Sequence, residues 1–202
     1  MKKLFLLLCL LAMGRCGFAQ DQGARQDINL SFMGVIQPYV ESNTYPYTQL
    51  KSTLGVGLYL GYRYDLTPNS AFEANYSYSR FTNKFYTVAQ SARIYTSLQE
   101  ASFAYVHTFN FRRWNPFLEA GGGLIFYSPL GGIRTTTYDT EQINKPTIIA
   151  GGGIAYELSP SWDLRVQYRS QIIVPTNYDV KYFKFNRRYV MSEPAIGFAY
   201  HF

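Results

Sequence analysis

A chain of 202 residues with 19 Lys and Arg against 13 Asp and Glu carries a net charge of +6, which drops to +3 if the N-terminal segment is removed, too mild for the concentrated basic face of a nucleic-acid-binding protein. Tyrosine and phenylalanine are over-used, at 19 and 15 residues, and both cysteines, Cys9 and Cys16, fall near the N-terminus. If that segment is removed, no thiol, disulfide or cysteine-based metal site remains, which excludes the small disulfide scaffold and thiol chemistry.

The N-terminus begins Met1-Lys2-Lys3, continues with an apolar run from Leu4 to Met13 and ends in Gly17-Phe18-Ala19. A charged start, a short greasy run and small residues at the cut are the marks of a secretory signal peptide, with cleavage expected after Ala19. The run falls short of the about 20 residues a membrane-crossing helix needs. A lipoprotein signal fits poorly, because Leu8 and Arg15 precede the cysteines where a small residue is needed. Losing Lys2, Lys3 and Arg15 takes 19 basic residues to 16 against 13 acidic, a charge of +3. Residues 20–202 then form one domain.

Period-2 alternation bounded by turn residues predicts eight strands. The first runs Asp27 to Tyr39, with Ile28, Leu30 and Phe32 opposite Asn29 and Ser31. The second, Lys51 to Leu66, sets Leu54, Val56, Leu58, Leu60, Tyr62 and Tyr64 against Gly55, Gly57, Tyr59, Gly61, Arg63 and Asp65. Thr67-Pro68-Asn69 turns the chain into the third, Ala71 to Phe81. A longer polar link leads to the fourth, Tyr95 to Phe109, and Asn110 to Asn115 turns into the fifth, Pro116 to Tyr127. The sixth is Thr147 to Leu158, Ser159-Pro160-Ser161 a short turn, the seventh Trp162 to Ile173 and the eighth Tyr189 to Phe202. Connections alternate long and short, the long ones roughly ten to eighteen residues, as in barrels with short periplasmic turns and longer outside loops.

One face of these strands is almost purely apolar, and the other carries Arg63, Glu73, Glu100, Glu119, Glu157, Arg165 and Arg169. A soluble ligand-carrying barrel would turn the apolar face inward. Seven charges suit no dry cavity, so the reading is the reverse: apolar side chains toward lipid, charges within.

The last residues, Gly197-Phe198-Ala199-Tyr200-His201-Phe202, match the Gly-x-x-aromatic-x-aromatic final strand that outer-membrane insertion machinery reads, although Ala195 stands where a polar residue is usual. Together with the signal peptide, the loop rhythm and the run Phe117-Leu118-Glu119-Ala120-Gly121-Gly122-Gly123, this resembles the small eight-stranded outer-membrane β-barrels, the outer membrane protein A transmembrane domain and outer membrane protein X among them. The resemblance spans residues 20–202 and implies an all-β, eight-stranded antiparallel up-and-down transmembrane barrel. It implies location in the bacterial outer membrane and insertion by the barrel-assembly machinery through Gly197, Tyr200 and Phe202. The peptidoglycan-binding domain of full-length outer membrane protein A is not expected.

Within such a barrel Arg63, Glu73, Glu119, Glu157 and Arg165 are expected to share one level near the periplasmic turns. Buried ions must pair, so the expectation is a lumen-closing ionic core, with an ion or small-solute gate as the alternative. The triplets Gly121-Gly122-Gly123 and Gly151-Gly152-Gly153 are expected on adjacent strands, giving curvature and room for inward rings such as Tyr59 or Phe117; a groove for a lipid chain is the sharper reading. His107 and His201 lie near periplasmic strand ends, far from the outer leaflet where a lipid A-modifying enzyme would work, and two histidines are too few for a metal centre. No catalytic residue, metal or other cofactor is expected. The stretch Tyr178 to Tyr189 interleaves aromatics with Lys181, Lys184, Arg187 and Arg188, a pattern suited to lipopolysaccharide phosphates at the outer surface. The expected function is a monomeric structural or interaction role in the envelope, presenting four outside loops, with outer-membrane lipids as partners and no nucleic acid.

Overall fold

The computed structural model describes residues 26–41, 49–86, 91–130, 142–173 and 189–202. The signal-peptide segment and the Lys181–Arg188 cluster lie outside them. The strands are β1 (Gln26–Val35), β2 (Val40–Glu41), β3 (Gln49–Ser52), β4 (Gly55–Thr67), β5 (Ser70–Tyr86), β6 (Ser91–Thr108), β7 (Trp114–Pro129), β8 (Ile143–Ser159), β9 (Trp162–Ile173) and β10 (Tyr189–His201). β4 to β10 each pair antiparallel with the next, and β1 pairs with both β4 and β10. This closes an eight-stranded ring of up-and-down strands. Closure leaves the ring without the unpaired edge of an open sheet.

The alternation read from the sequence points as expected. Phe32 is 74% exposed, Leu54 and Val56 67%, and Leu58, Leu60, Tyr62 and Tyr64 continue the outward stripe. Between them Tyr59 and Arg63 are buried inside. An apolar outside around a charged inside is stable against hydrocarbon, where every strand's backbone must be hydrogen-bonded to a neighbour. Rings collect at the end that holds Gln26 and Phe202. Trp114 lies 4.6 Å from Tyr156, and Trp162 5.1 Å from Tyr200. That is the aromatic girdle of a membrane interface.

Replacing Leu60, which sits between Leu30 and Tyr76 on the outer wall, by Arg is expected to cost about 2–4 kcal/mol, falling to about 1 for Leu54→Arg at the outer end. Urea unfolding in phosphatidylcholine vesicles reads the difference.

The sixth strand begins at Ile143 rather than Thr147, and three further boundaries differ from the sequence reading. The first strand stops at Val35 rather than Tyr39, short of Pro38, which has no N–H to donate. The second strand is broken. β3 and β4 both lie along β5, but Ser52 is opposite Asn83 while Val56 is opposite Arg80, so one extra residue is accommodated around Thr53–Leu54. This β-bulge reverses the alternation, so that Lys51 faces out and Leu50 in. Finally, the link after the third strand is short. β5 and β6 stay paired up to Tyr86 and Ser91, so their hairpin rises beyond the apolar belt and takes β3 and β2 as further strands. Polar residues such as Thr82, Asn83 and Thr96 carry this extension, which hydrophobic periodicity could not reveal. The seventh strand has the expected limits.

Candidate functional site

β9 supplies the spine of the interior. Arg165, Gln167, Arg169 and Gln171 all point inward because they alternate with the wall residues Val166, Tyr168 and Ile172. From there the two arginines reach different strands and organise two ionic tiers.

The lower tier joins Asp27 of β1, Arg63 of β4, Glu73 of β5 and Arg165. Arg63 donates to Glu73 through Nε at 2.7 Å, with NH2 2.6 Å from the same oxygen. Arg165 donates from NH2 to both Asp27 carboxylate oxygens at 3.2 Å, and its NH1 lies 3.7 Å from Glu73 on the diametrically opposite strand. Tyr59 donates its hydroxyl to Glu73 at 2.7 Å. Phe117 lies beneath both guanidiniums, 5.0 Å from Arg63 and 5.8 Å from Arg165.

The upper tier centres on Arg169, 1% exposed. It donates to Glu100 of β6 at 2.6 Å and to Ser102 at 3.3 Å, and lies 3.4 Å from Glu119 of β7 and 3.8 Å from Glu193 of β10. Gln171 donates to Glu193 at 2.7 Å and also to Glu100. Tyr59 connects the tiers, since Arg169 covers its ring at 4.8 Å. Charge-assisted bonds of this kind offset part of the cost of burying the ions, and charge proximity alone serves Glu119, neither of whose oxygens accepts a hydrogen bond among the described residues.

Above the ions the lumen becomes largely apolar, although Lys145 of β8 is also buried there, directly opposite Ile125. Met33, Val35, Leu98, Ile125 and Met191 are buried together with Phe81, Tyr127 and Ile173. Side chains therefore occupy the interior in three layers, as an eight-stranded barrel's narrow bore favours.

Of the five residues expected on one level, Arg63, Glu73 and Arg165 do meet. Glu119 belongs to the upper tier, and Glu157 is partly exposed near the periplasmic turn, opposite Asp163. No side-chain bond joins Glu157 to either tier among the described residues. Strand tilt is the reason: positions equally far from their turns stand at different heights around a sheared barrel. Sequence reasoning missed Asp27 and Glu193 as ion partners. Continuing the inward parity of Asn29 and of Gly197 along β1 and β10 would have found them.

The glycine triplets are on adjacent strands, offset by four residues in register, with Gly151 opposite Glu119 and Gly153 opposite Phe117. A Cβ at Gly153 would stand 2.7 Å from the Phe117 ring, and one at Gly151 2.7 Å from a Glu119 oxygen. The second triplet thus makes room for an inward ring, as expected for Phe117, and for a carboxylate. His107 packs edge-on to Phe109 at 4.9 Å, whereas His201 faces the periplasmic mouth with Nε2 2.8 Å from Asp163. Above the barrel, Tyr39 donates to Glu41 at 2.5 Å, and that carboxylate pushes the phenol's pKa up to about 12.

The terminal signal residues sit at the closing seam. Gly197 of β10 faces Ser31 of β1. Tyr200 is on the outer wall 6.2 Å from Phe202, whose N–H donates to Gln26 at 3.0 Å.

Solved structures share this architecture. The outer membrane protein OprG from Pseudomonas aeruginosa superposes with a TM-score of 0.67 at 11% identity, covering 90% of this chain and 97% of that one. Neisserial surface protein A does so at 0.58 and 16%, covering 90% and 100%. The outer membrane protein AlkL, solved in lipid bilayers, reaches 0.54 and 15%, covering 91% and 92%. The chain therefore has the fold of the small outer-membrane β-barrels. No protein-family model and no curated protein sequence matches it.

Proposed function

We propose that this chain is a monomeric, non-enzymatic envelope protein whose barrel is a side-chain-filled anchor in the outer membrane, holding a β-extension and loops at the cell surface. The supporting observation is the layered lumen. An apolar layer of Met33, Val35, Leu98, Ile125 and Met191 lies across the path between the ionic tiers and the outside. An ion entering from the periplasm would have to leave paired charges for that apolar layer, where desolvation opposes it. On this reading the bilayer is the main partner, Gly197, Tyr200 and Phe202 engage the assembly machinery, and Lys181, Lys184, Arg187 and Arg188 meet lipopolysaccharide.

Planar-bilayer recording tests the anchor against a channel. The expected record shows no stable conductance steps. Reproducible steps whose size changes in Arg165→Gln or Glu119→Gln would replace the anchor with a narrow pore. Such a pore would prefer cations, because the two tiers hold five carboxylates, Asp27, Glu73, Glu100, Glu119 and Glu193, against three guanidiniums.

A further inference from the structure

Across the extension, Lys51 of β3 is directly opposite Lys84 of β5, and Lys84 directly opposite Arg93 of β6. Register partners share a face, and this face is the outer wall: Leu50, Asn83 and Ile94, one residue away on each strand, are the buried ones. Neighbouring strands are about 4.8 Å apart, so three cationic stems leave one row about 10 Å wide. Arg80 stands on the same face of β5, four residues below Lys84 or about 13 Å along the strand. It donates through Nε to the Tyr78 hydroxyl at 2.6 Å and lies 5.4 Å over that ring. Below Arg80 the wall becomes Tyr78, Tyr76 and Phe103, the upper edge of the apolar belt.

Like charges placed directly opposite one another across a sheet oppose its formation. The bulge at Thr53–Leu54 is what turns Lys51 onto this face, so the charges meet through a local irregularity rather than through plain alternation. Glu41 of β2, opposite Gln49, accepts from Tyr39 and from Gln49, the latter at 3.3 Å. A row of cations a short step above a lipid-facing belt, with an arginine at the boundary, is complementary to a membrane lipid that carries several phosphates.

The geometry points to Lys51, Lys84 and Arg93, with Arg80 below them, as a docking site for the phosphorylated headgroup of an outer-leaflet glycolipid, its acyl chains lying on the aromatic wall beneath. The inference rests on the surface-anchor reading above and adds a site on the barrel's own strands, separate from Lys181–Arg188.

The test uses the full chain, folded in detergent, with three probes: diphosphoryl lipid A, the same lipid stripped of its phosphates, and inorganic pyrophosphate. The heat-shifted gel band confirms folding of every variant. Diphosphoryl lipid A is expected to co-elute with the wild type. The triple variant Lys51→Gln, Lys84→Gln, Arg93→Gln should weaken retention about tenfold, with recovery in the charge-keeping Lys51→Arg, Lys84→Arg variant. Dephosphorylated lipid should bind the wild type about as weakly, and excess pyrophosphate should leave lipid A bound. Undiminished retention in the triple variant overturns the site, as does displacement by equimolar pyrophosphate, which would mark a soluble-anion site. If retention is lost only when Lys181, Lys184, Arg187 and Arg188 become Gln, the row is overturned while the surface-anchor reading stands.

Discussion

Replacing Arg169 by Leu is expected to destabilise the folded barrel by about 3–5 kcal/mol, the range for removing one partner of a buried ion pair. This guanidinium is the common partner of Glu100, Glu119 and Glu193, carried by three different strands. Without it three carboxylates face one another around Ser102 and Gln171, with the Gln171 amide left to donate to Glu100 and Glu193 and the Ser77 hydroxyl, at 3.5 Å, to Glu100. Arg169→Lys should recover part of the loss, because an ammonium keeps the charge but not the planar fork that serves several acceptors at once. Removing a carboxylate as well, in Arg169→Leu with Glu100→Leu, should cost less than the single change. Urea unfolding in lipid vesicles, followed by the heat-shifted band and tryptophan fluorescence, measures all three. A loss below about 1 kcal/mol for Arg169→Leu would mean that the upper tier contributes little to stability.

Gly197→Ala is expected to weaken closure of the barrel by about 3 kcal/mol, and Gly197→Val to abolish the folded band, because overpacking against backbone has no side-chain movement to relieve it. A Cβ at Gly197 would stand 2.1 Å from the Leu30 carbonyl and 2.4 Å from the Ser31 Cα. These atoms belong to β1, the strand that β10 must meet to close the ring. Gly34 is on the same seam, yet its Cβ would meet nothing nearer than the Pro194 side chain at 3.5 Å. Gly34→Ala should therefore change stability by less than about 0.5 kcal/mol. Refolding without cellular machinery separates geometry from recognition. Gly197→Ala should be destabilised and Gly197→Val should fail there too, whereas Phe202→Ala should refold normally and lose surface levels only in cells.

Alternation along single strands carried most of the fold. Leu54 to Tyr64 could be assigned to the outer wall from sequence because a strand's side chains change face at every residue, whatever surrounds them. The limits of β9 followed from Ser159-Pro160-Ser161 and an unbroken pattern. The β5–β6 extension was hidden because above a membrane neither face must be apolar, so Thr82, Asn83 and Thr96 resemble loop residues.

What the amino-acid sequence determined by itself, then, was local: which residues alternate, where the short turns fall, and that charges share the face opposite the greasy one. Which charges meet was decided only when the ring closed. Arg165 touches Glu73 and Asp27, and Arg169 gathers Glu100, Glu119 and Glu193, because strand tilt and shear set the height of every inward residue, and those quantities belong to the closed sheet. The bulge at Thr53–Leu54 likewise turned Lys51 outward through pairing with β5, a contact between segments some thirty residues apart that no periodicity along one strand contains.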